Sequence, residues 1–289
     1  NLLAGLFTEN RLRSNPGLLL FHLALLGVTA LAVIGYLIRF EARIEIVQGG
    51  HFDPAALQAV KAGRLHPASR LEDIRFIQGP FTVDYDPGLE RSHTRSQIRL
   101  PDGQGGWQKQ EVGDDHPLII GGYRLYTTWN KGFALVLSWL PKQGSPMTGA
   151  VHLPPYPGID WNQENKWTVP GTDKILHLRL ELPPRPPDEQ AWQLRGDRRS
   201  DATLLVQFPT GKRRLAPGEQ LELAEGMLRF DEVRGWMGYK VYYDPTLPLM
   251  FWIAMIGISG LAWHYGCRTQ RPSRSVSALY AESGSAESK

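Results

Sequence analysis

Two histidines inside apolar stretches are the side chains of this sequence best placed to hold a cofactor. His22 and His264 each lie in an uncharged segment of membrane-spanning length, about one to two helical turns from one end. A histidine within a membrane span is costly unless it is paired, so both are candidates for function. At similar depth on neighbouring helices, the two rings could ligate a b-type haem from both sides. Alternatively, both rings reach the membrane interface, and their shallow depth favours that interpretation.

The other residues offer little for catalysis. No two of the remaining histidines have a metal-ligand spacing such as HxH or HExxH, and no Gly-x-Ser-x-Gly turn occurs. Because Cys267 is the single cysteine, CxxC and CxxCH motifs are absent, and we expect no thiol exchange by this chain. We therefore predict that the protein is not an enzyme. The histidines outside the apolar segments are His51, His66, His93, His116, His152 and His177.

The charge distribution argues against nucleic-acid binding. The 289 residues carry a formal net charge of +3, and no run of lysine or arginine exceeds three residues. Proteins that bind nucleic acids concentrate positive charge on one surface to contact the phosphates. We expect no nucleic-acid partner.

Two uncharged segments have the length and composition of membrane helices. Leu18–Ile38 and Leu247–Gly266 each provide about 20 residues, enough to cross the ~30 Å hydrocarbon core. The first segment could instead be a signal peptide cleaved near Ala30-Leu31-Ala32, but its apolar run continues beyond Ala32. Aromatic residues near the ends of the second segment are typical of a membrane-interface belt.

Arginines outside the two segments predict the orientation of the chain. Arg11 and Arg13 precede the first segment, and Arg268 and Arg271 follow the second. Because positive charge favours the cytoplasmic side, we predict that both termini lie in the cytoplasm and the residues between the helices lie outside. In a bacterium this means an inner (cytoplasmic) membrane protein with most of its chain in the periplasm. The predicted regions are a cytoplasmic N-terminal segment (1–16), a transmembrane helix (17–39), a periplasmic β-rich domain (40–246), a second transmembrane helix (247–267) and a disordered cytoplasmic tail (268–289).

The residues between the two apolar segments have the pattern of antiparallel β-strands. The stretch 122–141 is predicted as a strand rich in Tyr, Thr and Trp, followed by a break at Gly132 and a second apolar run. Residues 238–245 repeat this pattern of a glycine followed by aromatic and β-branched residues. Alternation predicts that Leu125 and Trp129 are buried together with Val241 and Tyr243. Turn signals about every ten residues favour a large, mainly antiparallel sandwich or barrel-like domain.

Two shorter stretches interrupt this β pattern. Asp53 and Pro54 have the residue types of a helix start and Gly63 that of a helix end, so residues 52–63 are predicted as a short helix. Residues 141–173 are rich in proline, glycine and tryptophan and are predicted as loop.

Three segments together resemble the ResB family of cytochrome c biogenesis proteins (system II). They are residues 81–103, 112–130 and 237–252, and the resemblance covers residues 75–267 in pieces. The similarity is specific because the segments occur in the same order as in the family and the last one leads into an apolar helix. Within the segment 112–130, the residues that match the family pattern are His116, Pro117, Leu118, Gly122, Tyr123, Leu125 and Tyr126. Within the segment 237–252, they are Gly238, Val241, Asp244 and Pro245.

The resemblance implies a membrane subunit that assists cytochrome c maturation. It would deliver haem for attachment to apocytochrome c together with a ResC-type synthase, which carries the Trp-rich haem-handling motif. The chain departs from the family pattern at Asp114-Asp115, at Thr127 and at Thr246, and it shows two apolar spans where larger family members have four. The alternative is an accessory structural subunit of a membrane-bound respiratory or photosynthetic electron-transfer complex.

Overall fold

The computed structural model describes residues 15–158, 161–184, 187–199, 201–209 and 211–269. The predicted cytoplasmic segment up to residue 14 and the predicted disordered tail from residue 270 onward lie outside these described residues. The described chain divides into two compact units. One contains two helices together with residues 63–65, and the other contains residues 40–62 and 66–243.

In the described residues, the helical unit consists of α1 (Pro16–Ile38) and α2 (Leu247–Thr269) with the short segment 63–65. Pro16 opens α1 after an extended Asn15, because a proline has no N–H to leave unsatisfied in the first turn. Before α2, the Asp244 carboxylate accepts hydrogen bonds from the Thr246 backbone N–H at 3.0 Å and hydroxyl at 2.6 Å. Both helices are long and apolar enough to cross a membrane, by length and composition.

The second unit is built from antiparallel strands, fifteen of them in the described residues. They are β1 (Phe40–Val47), β2 (Gln58–Ala62), β3 (Ile77–Asp86), β4 (Glu90–Pro101), β5 (Trp107–Gly113), β6 (Leu118–Ile120), β7 (Tyr123–Pro141), β8 (Met147–Pro155), β9 (Glu164–Thr168), β10 (Ile175–Glu181), β11 (Trp192–Arg195), β12 (Thr203–Phe208), β13 (Gly211–Leu215), β14 (Gln220–Leu223) and β15 (Gly226–Tyr243). This agrees with the predicted mainly antiparallel β domain between two apolar helices.

Within the described residues, the strands form one sheet of seven strands and two of four. The large sheet has the order β2-β1-β15-β7-β6, with β14 paired to β15 and β8 paired to β7. The small sheets have the orders β13-β12-β10-β9 and β11-β3-β4-β5. The long strands β7 and β15 lie at the centre of the large sheet, and their inward side chains join one hydrophobic core with those of the small sheets.

The structure corrects three of the predicted elements. Residues 52–63 do not form a helix, although the Asp53 side chain accepts a hydrogen bond from the Ala55 N–H at 2.9 Å as a cap would. The turn ends at Ala56, and β2 then pairs with β1, so sheet pairing overrides helix propensity. The predicted loop 141–173 contains β8 and β9. The predicted break at Gly132 is absent, since β7 runs through it.

Gly132 has a packing role in place of a strand break. A β-carbon at this position would lie 3.1 Å from Nε1 of Trp236 and 3.0 Å from the carbonyl oxygen of Pro154. Trp236 is directly opposite Gly132 on β15. The glycine therefore leaves room for the Trp236 indole, which is one of the largest fully buried side chains.

Candidate functional site

The two helices that carry His22 and His264 contact each other through small residues. A β-carbon at Gly17 would lie 2.6 Å from the carbonyl oxygen of Gly260 and 2.9 Å from the backbone nitrogen of His264. Further along, a β-carbon at Gly257 would lie 2.8 Å from the β-carbon of Ala24. The helices are therefore antiparallel and in direct backbone contact, as small residues permit in membranes.

This packing does not fit a single haem held between His22 and His264 of one chain. His264 is level with Gly17, and His22 follows Gly17 by five residues, which corresponds to about 7.5 Å along the helix axis. A porphyrin would have to separate helices that touch at their glycines. The tautomer of His22 taken alone suits a haem ligand. Its Nδ1 lies 2.8 Å from the carbonyl oxygen of Leu18, so the proton is on Nδ1 and Nε2 is the atom that would ligate iron.

We expect the purified chain alone to lack a b-type haem with a bis-histidine spectrum. The measurement is an absorption spectrum of the reduced, detergent-solubilised chain, alone and with its co-purifying partners. A haem seen only in the complex, and lost in His22→Ala, would assign His22 as a ligand together with a partner's side chain. A bis-histidine haem in the isolated chain, abolished by His22→Ala and also by His264→Ala, would contradict the fit described above.

His66 lies in an aromatic cluster that brings two of the family-like segments together. Its ring stacks on Phe40 at 4.6 Å between centroids, and its Nε2 lies 2.9 Å from the hydroxyl of Tyr123. Tyr243 packs edge-on against His66 at 5.4 Å, and its hydroxyl accepts a hydrogen bond from Arg70 at 3.0 Å. Burial, assisted by Tyr243, raises the pKa of Tyr123 to about 12. The Tyr123 hydroxyl therefore stays protonated at neutral pH.

The other histidines of the β unit are scattered. In the described part of the chain, no group of three or more His, Cys, Asp or Glu side chains is close enough to hold a metal ion. His152 stacks on Trp236 at an interplanar angle of 2°, and its Nδ1 lies 3.2 Å from Oε2 of Glu45. The residues His66 and His152 thus have aromatic and polar neighbours that account for their positions.

A buried polar network joins the large sheet to one of the small sheets. The Tyr239 hydroxyl on β15 donates to Oε1 of Gln78 at 2.7 Å and lies 2.8 Å from the hydroxyl of Ser96. Nε2 of Gln78 donates to the Ser96 hydroxyl at 2.8 Å. Burial raises the pKa of Tyr239, so its hydroxyl remains a donor. The three side chains satisfy one another in the core, as buried polar groups must.

We expect Tyr239→Phe to lower the free energy of unfolding by about 1–3 kcal/mol, because Oε1 of Gln78 then loses its donor while it stays buried. Chemical denaturation of the solubilised chain measures the change. Tyr126→Phe is the matched control, since Tyr126 is only half-buried, and its effect should stay within about 0.5 kcal/mol. Equal stability of the two variants would show that the network contributes nothing.

A bulge in β7 lies opposite a glycine of the fourth family-like segment. Lys131 pairs with Met237 and Thr127 pairs with Tyr239, so residues 128–130 of β7 face Gly238 alone. The Thr128 hydroxyl donates to the Gly238 carbonyl at 3.0 Å and accepts from the Asn130 N–H at 3.2 Å. A β-carbon at Gly238 would lie 2.7 Å from the carbonyl oxygen of Asn130. The bulge therefore requires glycine at this position.

The prediction that Trp129 is buried is wrong. Leu125, Val241 and Tyr243 are buried as predicted, but 68% of Trp129 is exposed. Alternation along the strand assigns a face only while the register is regular, and the bulge interrupts that register at residues 128–130. Trp129 consequently projects into solvent.

Charged side chains surround the exposed indole. The Arg91 guanidinium carbon lies 4.3 Å from the centroid of the Trp129 ring, within cation–π range. Arg91 is held in place by Asp114 Oδ1 at 3.1 Å and by the hydroxyl of Thr94 at 2.9 Å. Thr127 also donates to Asp114, at 3.3 Å. Asp114 and Thr127, which both lie at departures from the family pattern, thus contact each other next to the Arg91 guanidinium.

Lys131 lies below this surface and is 1% exposed. Its Nζ lies 3.4 Å from the Trp129 carbonyl oxygen and 5.7 Å from the ring centroids of Tyr85 and Trp129. Burial, with a smaller contribution from the Arg91 guanidinium, lowers the pKa of Lys131 to about 8. Lys131 is therefore a mostly protonated, largely desolvated cation at neutral pH.

Comparison with protein families decides the identity of the chain. The model of the ResB-like family matches residues 7–169, which is more than half of the 289 residues. The chain belongs to the ResB-like family. No curated protein matches it. Family membership links this ResB-like chain to cytochrome c biogenesis, and together with its two apolar helices it indicates a membrane protein.

The matched region of the ResB-like chain extends from α1 to β9 and includes the family-like segment at residues 112–130. The segment at residues 237–252 lies beyond the match, but the structure joins it to the matched part. Tyr243 packs on Tyr123 at 4.8 Å between ring centroids, and Gly238 accommodates the bulge at Trp129. Residues 123–130 and 237–243 of these segments therefore lie next to each other on the two central strands of the large sheet.

Sequence reasoning missed Arg91 and Lys131 and the role of His66. Arg91 and Lys131 are forty residues apart and meet only because β4 lies next to the bulge of β7. No local motif marks such a pair. For Lys131 the sequence did contain one signal. Alternation along the strand places this lysine on the same face as Leu125 and Trp129, which is the face predicted to be buried.

Proposed function

We propose that this ResB-like chain is a non-catalytic membrane subunit that assists cytochrome c maturation with a multi-span, ResC-type partner. The family match over residues 7–169 is the observation that carries the proposal. The order of the elements supports it, because two helices of membrane-spanning length bracket a large β domain in the sequence. In this function the partner handles haem, and the chain supports delivery of haem to apocytochrome c.

The proposed location is the bacterial inner membrane, with the β unit in the periplasm. Arginines beyond both apolar segments favour the cytoplasm for the two ends. A periplasmic β unit would stand on the side of the membrane where apocytochrome c receives its haem.

Co-purification tests the proposed function directly. A tagged chain solubilised in mild detergent is expected to isolate a multi-span membrane protein that carries a Trp-rich segment. Mass spectrometry of the partners identifies it. Isolation of a cytochrome-bearing respiratory or photosynthetic complex in its place would contradict the proposal and favour an accessory structural subunit.

A topology assay tests the proposed orientation. A reporter active only in the periplasm, fused after Lys289, is expected to be silent, whereas the same reporter inserted in the exposed β4–β5 turn at Gly103 is expected to be active. Gly103 is a suitable insertion point, because a β-carbon there would meet nothing within 4 Å. A strong signal from the fusion at Lys289 would overturn the orientation.

A further inference from the structure

A cavity in the β unit is lined by three cations and, among the described residues, by no carboxylate. Its volume is about 330 Å³, within the size range of small-molecule sites. The cations are Arg99 on β4, Lys109 on β5 and Arg198 in the segment after β11. The turn after β1 and the part of β3 around Gly79 complete the lining. Separate parts of the fold thus converge on one positively charged cavity.

Arg99 and Lys109 lie directly opposite each other on neighbouring strands. Side chains at directly opposite positions of an antiparallel pair share one face of the sheet, and like charges there are destabilising. Both residues are exposed, and neither has an ion-pair partner among the described residues. An anion bound between the two side chains would offset their repulsion.

The third cation, Arg198, shares its carboxylate with a further arginine. Arg198 Nε lies 3.2 Å from Oε2 of Glu232, whose Oε1 accepts a hydrogen bond from Arg234 Nε at 2.7 Å. Arg234 also donates to the backbone carbonyl of Gln48, a residue that lines the cavity, at 3.2 Å. One carboxylate therefore balances two guanidinium groups beside the cavity.

The next carboxylates along the chain do not remove this surplus of positive charge. Glu111 lies two residues beyond Lys109 on β5 but lines a different groove. Asp197 precedes Arg198 but lines a neighbouring groove. In the described part of the chain, neither carboxylate forms an ion pair with the cations of the cavity. With four cations and Glu232 as the carboxylate bonded to them, three positive charges stay unbalanced.

The chemistry of the lining selects a phosphate group. Guanidinium groups bind phosphate oxygens through paired hydrogen bonds, and a lysine adds a point charge. The side-chain oxygen of Gln48 is buried in the lining and has no hydrogen-bond donor among the described residues. A buried acceptor of this kind requires a donor. A phosphate group that keeps one proton provides it, whereas a sulfate ion does not.

A small anion fits the cavity better than an acidic segment of another protein. Protein interfaces depend on large apolar or aromatic side chains at their centre. None of the exposed large hydrophobic residues in the described part of the chain lines this cavity. Its apolar side chains are Pro80 and the buried Ile98.

We propose that this cavity binds a phosphate group that retains one proton, as free phosphate or as the monoester headgroup of a lipid. Arg99 and Lys109 contact its oxygens from β4 and β5, and Arg198 contacts them from the segment after β11. The Gln48 side-chain oxygen accepts the hydrogen bond of the phosphate O–H. This goes beyond the proposed function, because it assigns an anion site to the β unit and needs neither haem nor a cytochrome.

Equilibrium dialysis with radiolabelled inorganic phosphate tests the site, with the full chain in micelles of a phosphate-free detergent. We expect saturable binding of one phosphate per chain. Unlabelled sulfate at equal ionic strength is expected to compete at least about tenfold more weakly than unlabelled phosphate, because sulfate leaves the Gln48 oxygen without a donor. The absence of saturable binding, or equal competition by sulfate, would overturn the proposal.

Two single variants locate the bound phosphate. Arg99→Gln and Lys109→Gln are each expected to weaken phosphate binding at least about tenfold, because each removes a charge-assisted hydrogen bond. Arg213→Gln is the control, since Arg213 is an exposed arginine on β13 outside this cavity. Circular dichroism confirms that each variant is folded. Unchanged binding by the two lining variants, or an equal loss in Arg213→Gln, would refute the assignment.

A second competition identifies the source of the phosphate group. Short-chain phosphatidic acid carries a phosphate monoester and is added to the dialysis in place of unlabelled phosphate. Stronger displacement by phosphatidic acid than by inorganic phosphate would assign the site to a lipid headgroup. Equal or weaker displacement would assign it to free phosphate, and either result supports the site.

Discussion

Trp236→Ala is expected to leave little folded protein in the membrane fraction. Trp236 is 1% exposed at the centre of the large sheet, where it stacks on His152 and fills the space left by Gly132. Truncation of a buried tryptophan costs about 3–5 kcal/mol, a large share of the ~5–15 kcal/mol by which a typical domain is stable. Immunoblots of membranes and thermal unfolding of the solubilised chain measure the effect.

Trp129→Ala is the matched control for this experiment. Both tryptophans lie on the two central strands, but Trp129 is exposed and its loss opens no cavity. We expect Trp129→Ala to accumulate normally, with a change in stability within about 0.5 kcal/mol plus the small loss of the contact with Arg91. Depletion of Trp129→Ala to the level of Trp236→Ala would show that the indole is buried after all.

Gly238→Ala is expected to destabilise the β unit by about 1–3 kcal/mol, as overpacking of a tightly packed site does. The added β-carbon would lie 2.7 Å from both the Asn130 carbonyl oxygen and the Thr128 hydroxyl oxygen. The Asn130 atom belongs to the backbone, so the bulge itself must move. Denaturation midpoints of the solubilised chain measure the change.

Gly149→Ala is the control for this substitution. Gly149 is also a strand residue, but a β-carbon there would meet nothing within 4 Å. Its replacement by alanine should be neutral or slightly stabilising, because alanine restricts the unfolded chain. If Gly238→Ala were as stable as Gly149→Ala, the bulge would not depend on the glycine.

Elements with local signals were predictable from the sequence. The apolar runs placed the two helices to within a few residues. The sequence of residues 175–181 alternates in an equally direct way, and Leu176, Leu178 and Leu180 are buried in β10. These signals succeed because burial of one face follows directly from periodicity. The hairpin between β4 and β5 has a local signal of the same kind, because Asp102-Gly103 at its turn are residue types typical of hairpin turns.

Features that depend on distant partners were not predictable. Residues 58–62 became a strand only because β1 offers an edge to pair with, and β8 and β9 occur in a stretch whose prolines and glycines indicate loop. The exposure of Trp129 follows from a bulge opposite Gly238, more than one hundred residues away in the sequence. Alternation within one strand contains no information about a register shift that its neighbour imposes.

Covalent attachment of haem to c-type cytochromes is the most direct test of the central claim, that this ResB-like chain assists cytochrome c maturation. The measurement is haem staining of membrane and periplasmic proteins after denaturing electrophoresis, in a strain lacking the chain and in the strain complemented with it. We predict that the deletion abolishes covalently bound haem while the apocytochrome polypeptides are still made, and that complementation restores it. Normal haem attachment in the deletion strain would contradict the account.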